Sequence, residues 1–459
     1  MKDLKAIILA AGEGSRMRSK KPKVLHTVLN RTMIDCVIDA AKGCGAEEVC
    51  VVVGHKAEDV RRGIQTEGVL FALQAEQKGT GHAVMMAADF IEDGKDILIL
   101  YGDIPLLRRE TLTGLIAEHK QKENAVTVIS SYVDDPTGYG RIIRNQDGGF
   151  QKSVEHKDAT QEERDVCEIN TGIYIFQGRA LNASLAKINN NNAQGEYYLP
   201  DCLEILLCEG ERVDAVAAAD AREFFGVNNR VQLAEASSMM QERINRKHME
   251  NGVTILDMKT TYIDDEAVKI QEDTTILPGC ILEGNTTIGE DCIIGPNCRL
   301  TDMNIGNGVT MQQTTAIEST IGNNVSVGPY AYIRPNCVIG DDVKVGDFVE
   351  IKNSTIGKGT KIPHLTYVGD TDAGERVNFG CGSIMVNYDG KNKHRTTVED
   401  NVFVGCNVNL VAPLTVKKDA YIAAGSTITK DVAEDVLAVA RARQQVIEGW
   451  QSKRIKTEE

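Results

Sequence analysis

Residues 269–300 read KIQEDTTILPGCILEGNTTIGEDCIIGPNCRL, and an aliphatic side chain returns at every sixth position: Ile270, Ile276, Leu282, Ile288, Ile294 and Leu300. A period of six suits neither an α-helix, which repeats at 3.6, nor a flat strand, which alternates at 2. It marks a parallel β-helix, in which three hexads complete a coil and each aliphatic side chain points inward. The beat resumes at Ile321, Val327, Ile333, Ile339, Val345 and Ile351, and again at Val398, Val404, Leu410, Val416, Ile422 and Ile428. At about 18 residues per coil, positions 270–428 predict roughly nine coils.

The slots around each inward residue have their own chemistry. Two positions before it stand Thr274, Cys280, Thr286, Cys292, Cys298, Ala331, Cys337 and Val343, small or β-branched residues suited to a tight corner. Two positions after it stand Glu290, Pro296, Asn323, Pro329, Pro335, Asp341, Asp347 and Lys358, so that slot faces outward. The repeat cysteines in the first slot are therefore corner fillers. The chain has twelve cysteines and no CxxC pair, which points to reduced structural thiols.

Upstream the period changes. Ala6–Ala10, Val49–Val53 and Ile97–Tyr101 are short apolar runs of the kind found in buried parallel strands, and Met33–Gly43, Gly81–Phe90 and Glu110–Lys122 are helix-like stretches between them. Such alternation predicts an α/β, Rossmann-like domain with a mostly parallel sheet and ligands at the carboxyl ends of its strands. From Val231 to His248 the apolar residues Leu233, Ala236, Met240 and Ile244 recur three or four apart, as in one long helix. The expected domains are 1–229 (α/β), 230–250 (linker helix), 251–437 (an all-β parallel β-helix of hexapeptide repeats) and 438–459 (C-terminal helix and tail). A helix is expected over Ala433–Trp450, before an acidic end.

With 51 basic and 66 acidic residues the net charge is −15, which argues against nucleic acid or an anionic membrane as partner. No apolar run is long enough to span a bilayer, and the apolar part of MKDLKAIILAAGEG is too short for a signal peptide; a cytoplasmic protein is the default.

Chemistry is expected where LAAGEGSRMRSKKPKVL follows the first strand. Gly12 and Gly14 let backbone N–H groups approach a phosphate, and Arg16 and Lys23 bring positive charge to a triphosphate. Asp103, at the end of the Ile97–Tyr101 strand, is a hard oxygen donor of the sort Mg²⁺ takes. In the repeat half, His364 lies in IPHLTYVGD, two positions past inward Ile362 and hence outward, where an imidazole is free to act as a base. Arg334 and Lys352 lie one step past inward residues, as an anionic sugar phosphate requires. Residues 370–397 break the hexads and carry NYDGKNKHRT, a loop expected to project. Ala424 puts a small residue in the polar outward slot, leaving room for a ligand.

The glycine-rich run, together with QKGTGHA (Gln77–Ala83) and YGDIPL (Tyr101–Leu106), resembles the signatures of sugar-1-phosphate nucleotidyltransferases. Within them the chain is similar, over nearly its full length, to the bacterial bifunctional N-acetylglucosamine-1-phosphate uridyltransferase/glucosamine-1-phosphate acetyltransferases. That resemblance implies a left-handed β-helix, a homotrimer, and synthesis of UDP-N-acetylglucosamine for cell-wall precursors. Acetyl transfer from acetyl-CoA to glucosamine-1-phosphate would precede Mg²⁺-dependent uridylyl transfer from UTP to N-acetylglucosamine-1-phosphate. It further implies that Leu9, Ala10, Ala11, Gly12, Lys23, Gln74, Gly79 and Thr80 hold the nucleotide. Gly140, Glu155 and Asn170 would contact the sugar, and Asp103 and Asn228 would bind Mg²⁺. For acetyl transfer it implies His364 as base and Asn387 to orient the amine, with Arg334, Lys352, Tyr367 and Asn378 on the amino-sugar phosphate. Cys381, Asn387, Tyr388, Cys406, Ala424 and Arg441 would contact acetyl-CoA, with backbone N–H groups near residues 381 and 424 facing the developing oxyanion.

Two positions depart from the family pattern: Cys381 stands in place of the usual alanine and Cys406 in place of the usual serine. A thiol is a weaker donor than a hydroxyl, so slower acetyl transfer and sensitivity to thiol reagents are expected. Two other readings stay open on sequence alone. One is a different sugar-1-phosphate nucleotidyltransferase whose β-helix serves only assembly; the other is a non-catalytic β-helix scaffold with a decayed nucleotide site.

Overall fold

The computed structural model describes residues 3–265 and 267–455. The chain divides into two compact units, Met1–Met240 and Gln241–Glu459, and helix Arg230–Glu250 runs through the boundary.

The front unit is built around strand Leu4–Ala10, buried along its whole length. From one edge the sheet runs Val213–Ala217, Val126–Tyr132, Glu168–Gln177, Asp96–Tyr101, Leu4–Ala10, Glu48–Val53 and Val69–Leu73. Only Glu168–Gln177 runs antiparallel to its neighbours along this path, and it also carries the hairpin Gly140–Arg144/Phe150–Val154. Successive side chains of the first strand feed opposite layers. Ala6, Ile8 and Ala10 join one apolar cluster with helix Met33–Gly43, while Ile7 and Leu9 join another with Leu181, Leu199 and Leu203. This is a mostly parallel α/β sheet, and its strands Leu4–Ala10 and Asp96–Tyr101 end side by side.

The second unit is a left-handed parallel β-helix: three parallel sheets of 11, 10 and 9 strands, or ten coils. The 27 strands from Lys269–Ile270 to Thr427–Ile428 make the nine coils expected over 270–428, and Thr254–Ile255 and Tyr262–Ile263 upstream with Leu437–Ala438 downstream add three more strands. Buried Ile255 and Ile263, at spacings of eight and seven before Ile270, are hidden from a search for sixes. The same effect conceals Ile305, Met311 and Ala316, which are buried inward residues reached by steps of five as well as six. The corner slot behaves as its composition requires: Thr274, Cys280, Thr286, Cys292, Cys298 and Cys337 are buried. None of the twelve cysteines forms a disulfide.

A third slot sets the turns. Three positions before the inward residue the backbone is left-handed at Asp273, Asp291, Asn297, Asn324, Asn336, Asp342, Asn401, Asn407 and Asp419. Asn and Asp tolerate this conformation because their short side chains satisfy nearby backbone groups. At the open end of the first coil, Gln241 Nε2 donates to the carbonyls of Met258, Lys259 and Thr261, and Asn245 Nδ2 to those of Met258 and Thr261. Carbonyls that have no preceding coil to pair with are satisfied there by side chains.

Two expectations are corrected. Residues 370–397 do not leave the β-helix: Thr371–Ala373, Asn378–Phe379 and Ile384–Val386 are strands with Ala373, Phe379 and Met385 inward. Only the stretch after Val386 departs, closing on a Tyr388–Lys393 antiparallel bridge before strand Thr396–Val398. Nor is Ala433–Trp450 a helix. Val432 pairs with Val416, and Leu437–Ala438 pairs with Tyr421–Ile422, so the ladder continues where alanine content suggested a helix. A short helix forms only at Trp450–Ile455, after Gly449 with its positive φ. The last residues of the acidic end, 456–459, lie outside the described residues. Among the described residues no helix is long and apolar enough to cross a membrane.

Candidate active sites

The first site forms at the carboxyl ends of the front-unit strands. Gly14 adopts φ 64°, and a Cβ there would lie 2.5 Å from Lys23 Cβ, so a side chain at 14 would push Lys23 away. Gly12 has nothing within 4 Å of its Cβ position, which leaves its backbone open to a ligand. Leu9, Ala10, Ala11, Gly12, Lys23, Gln74, Gly79, Thr80 and Asp103 line one cavity of about 260 Å³, together with Gln77, Tyr101 and Glu196. Gln74 is buried; its Nε2 donates to the Gly79 carbonyl at 3.1 Å and meets His82 Nδ1 at 3.0 Å, fixing the turn before helix Thr80–Met85. Gly79 itself, at φ 107°, passes the Tyr197 carbonyl so closely that a Cβ would stand 2.5 Å from it.

A second cavity of about 310 Å³ shares Thr80, Tyr101 and Glu196 with the first. Gly140, Glu155 and Asn170 line it. Asn170 sits where the Glu168–Gln177 strand shifts register, and Gly172 turns there at φ 82°. Its Nδ2 donates to Ser153 Oγ and Tyr174 Oη at 2.9 Å, while its Oδ1 accepts from Gly172 N. Burial, and then the nearby Asp158, Asp201 and Glu196, push the Glu155 carboxyl up. Asp201 is pushed up to about 6 by burial and by Glu204 and Asp158.

Asp103 and Asn228 meet despite their separation in sequence, because Val227 N donates to the Asp103 backbone carbonyl at 2.9 Å. Lys23 Nζ stands between them, 2.5 Å from Asp103 Oδ2 and 2.7 Å from Asn228 Oδ1, and Arg16 Nη2 donates to Asn228 Oδ1 at 2.9 Å. Two hard oxygens thus converge on one cationic group. That donor set suits Mg²⁺, which keeps few protein ligands and completes its shell with phosphate and water. Among the described residues no group of three or more His, Cys, Asp or Glu side chains offers a metal a fuller cage.

On the β-helix the second set is spread over the surface. Backbone pairing puts Asp347, His364, Cys381, Cys406 and Ala424 in one column on successive coils, each two positions past an inward residue. Arg441 joins the far end, its Nη1 donating to the Ala424 carbonyl at 2.8 Å. His364 Nδ1 is hydrogen-bonded to Asp347 Oδ1. Arg334 and Lys352 occupy adjacent rungs of the next sheet; Arg334 pairs with Glu350 at 2.8 Å and Lys352 with Asp370 at 3.7 Å. Asn387 Nδ2 donates to Asp370 Oδ2 at 2.5 Å and reaches Tyr367 Oη at 3.4 Å. Burial alone would raise the Asp370 carboxyl, but hydrogen bonds from Asn353 and Asn387 and the charge of Lys352 outweigh it and hold it low. Asn378 belongs to a different sheet from Arg334, Lys352 and Tyr367, so this chain does not gather those four on one face. Tyr388 is exposed, its hydroxyl donating to the Gly390 carbonyl of its own loop.

Sequence reasoning does not reach Glu350, Asp370 or Lys393, the last lying beside Lys352, whose charge lowers its pKa. They look like ordinary surface charges until the coils stack; the only sequence signal is their place beside residues 352, 369 and 387–396.

The front sheet and its cavities are of the nucleotidyltransferase type, and residues 5–222 match the Nucleotidyl transferase family. Residues 265–366 match the GMPPB C-terminal domain. The chain is 55% identical over 456 residues to the bifunctional protein GlmU of Caldanaerobacter subterraneus, covering 99% of each. It is 54% identical over 447 residues to that of Alkaliphilus oremlandii (97% of this chain, 98% of the relative) and 49% identical over 452 residues to that of Clostridioides difficile (98% of each). The chain belongs to the bifunctional GlmU family.

Proposed function

We propose that this protein makes UDP-N-acetylglucosamine in two steps, acetylating glucosamine-1-phosphate on the β-helix and then uridylylating N-acetylglucosamine-1-phosphate in the front cleft. The convergence of Asp103, Asn228, Lys23 and Arg16 beside two joined cavities carries the reading.

In the front cleft the nucleotide lies along Leu9–Gly12 and over Gly79 and Thr80, and the sugar enters the cavity lined by Gly140, Glu155 and Asn170. The phosphate oxygen of the sugar attacks the α-phosphorus of UTP in line, the bond to the β,γ-phosphates breaks, and pyrophosphate leaves. Asp103 and Asn228 would hold Mg²⁺, which supplies charge neutralisation on the phosphates. Arg16 and Lys23 add positive charge that is present before the reaction starts, so no reorganisation is needed as charge develops.

On the β-helix His364 accepts a proton as the glucosamine amine attacks the thioester carbon of acetyl-CoA, and the coenzyme A thiolate departs. Arg334, Lys352, Tyr367 and Asn378 bind the amino-sugar phosphate, and Asn387 orients the amine. Cys381, Tyr388, Cys406, Ala424 and Arg441 contact acetyl-CoA, with backbone N–H groups near 381 and 424 facing the oxyanion.

Because His364 is exposed and its helpers lie on two faces, the reading requires neighbouring chains to complete the site, as a homotrimer would. Exposed aromatic pairs, Tyr330 on Phe348 and Phe403 on Tyr421, offer apolar surface for such an assembly. Free cysteines accord with a reducing, cytoplasmic setting.

The test is a coupled assay with glucosamine-1-phosphate, acetyl-CoA and UTP, each step also measured alone. His364→Ala should abolish acetyl transfer and spare uridylyl transfer; Asp103→Ala should do the reverse. Loss of both activities in either variant would contradict two separate sites.

A further inference from the structure

In the first sheet of the β-helix, nine of the eleven strands span two residues. The two exceptions are neighbours, Lys344–Asp347 and Lys361–His364, and each spans four. Their pairing therefore extends past the inward Val345 and Ile362 to join Asp347 to His364 directly. Gly346 makes this possible. A Cβ at that position would stand 1.8 Å from the Pro363 carbonyl oxygen, so only glycine lets the two coils close up here. The contact so formed is between Asp347 Oδ1 and His364 Nδ1.

We propose that Asp347 is a positioning residue for acetyl transfer: its carboxylate accepts the Nδ1–H of His364 and so keeps Nε2 unprotonated as the base. The inference rests on the assignment of His364 as base made above. Which ring nitrogen carries the proton is set by what the other one bonds, and a carboxylate acceptor specifies Nδ1–H. As the amine attacks, Nε2 takes its proton and the imidazole becomes a cation; the coenzyme A thiolate leaves with the electron pair of the C–S bond. Asp347 stays ionised throughout and stabilises that cation, and the proton then passes to the thiolate or to solvent. The groups facing His364 are Asp347 on the coil before and Cys381 on the coil after. The other charged residues on the two strands, Lys344 and Lys361, are register partners three residues away.

The experiment is the pH profile of acetyl-transfer kcat/KM for wild type, Asp347→Asn and His364→Ala, using the full-length protein with glucosamine-1-phosphate and acetyl-CoA. Losing the carboxylate that specifies the Nδ1–H ring should lower kcat more than it changes KM for either substrate. The rate on the alkaline plateau should fall about tenfold. Uridylyl transfer serves as the control for an intact front unit. If Asp347→Asn keeps the wild-type kcat and plateau while His364→Ala is inactive, the inference fails and the site assignment survives. If His364→Ala still acetylates, the site assignment itself fails. Histidine ¹⁵N shifts of the wild-type protein, with His364 assigned by its loss in His364→Ala, read the tautomer without relying on Asp347→Asn. An Nδ1–H ring supports the inference and an Nε2–H ring overturns it.

Discussion

In the front unit the carboxyls of Glu155 and Asp201 are pushed up by burial, whereas on the β-helix the Asp347 carboxyl is held below its usual range by the imidazole of His364. The difference follows from how each site is built. The front cleft is assembled from loops at several strand ends, which bury polar groups. The β-helix places single side chains on successive rungs of an open surface, where a charge is governed by its immediate neighbour. A cleft therefore tunes its groups through the environment, and a column tunes them through pairs.

Substituting a glycine at which each site is drawn tight should give the largest effects. At Gly79 a Cβ would lie 2.5 Å from the Tyr197 carbonyl with the backbone already at φ 107°. Gly79→Ala should lower uridylyl transfer by about a hundredfold or more and leave acetyl transfer within about twofold of wild type. At Gly346 the clash with Pro363 displaces Asp347 and His364, and Gly346→Ala should produce the mirror image. Measuring both activities in both variants checks the division. If either substitution depressed the two activities equally, the units would not be independent in function.

A smaller effect is expected at Cys406, which is exposed in the same column as His364. Cys406→Ser replaces a weak thiol donor by a hydroxyl and should raise the acetyl-transfer rate about threefold. It should also remove part of the inhibition by iodoacetamide. Unchanged turnover together with unchanged alkylation sensitivity would show that this rung does not touch the thioester.

The comparison also explains what the sequence made legible. Inward aliphatics at intervals of six were enough to recognise the β-helix, because every coil repeats the same burial. They gave the nine coils of 270–428 but not every rung, since Ile255, Ile263, Ile305 and Ala316 keep the burial but change the spacing. The left-handed Asn and Asp slot, as in Asn297, Asn324 and Asn336, would have recovered Ile305 through Asp302, but Ile255, Ile263 and Ala316 follow Gly252, Thr260 and Gln313 instead. At the C-terminal end, helix propensity around Ala438 lost to pairing with Ile422, a long-range term that local composition cannot express. The glycine-rich loop was legible because its residues are contiguous. The place of Asn228 was not, since a backbone hydrogen bond from Val227 to Asp103 brings it in from more than a hundred residues away. Asp347 looked like one outward acid among several until Gly346 and Pro363 were seen to bring its coil against that of His364.

The smallest effect tests the claim about burial itself. The Asp201 carboxyl, ordinarily near 3.8, is pushed up to about 6 in the fold. Between these values the folded state binds more protons than the unfolded chain, so folding gains stability as pH falls from about 6 toward 4 and pays a penalty above 6. A shift of this size would be worth roughly 3 kcal/mol for a fully buried group. Asp201 is only partly buried, and screening by solvent reduces the penalty to about 1 kcal/mol. Asp201→Asn removes the charge with little change of shape. It should raise the thermal midpoint of the front unit by about 3 °C at pH 8 and by much less at pH 5, where the native carboxyl is already mostly protonated. Asp347→Asn should show no such gain at pH 8, because the hydrogen bond from His364 outweighs desolvation and holds its carboxyl down. A stabilisation of Asp201→Asn that was equally large at both pH values would have to come from packing, and the contrast between an enclosing cleft and an open column would lose its electrostatic basis.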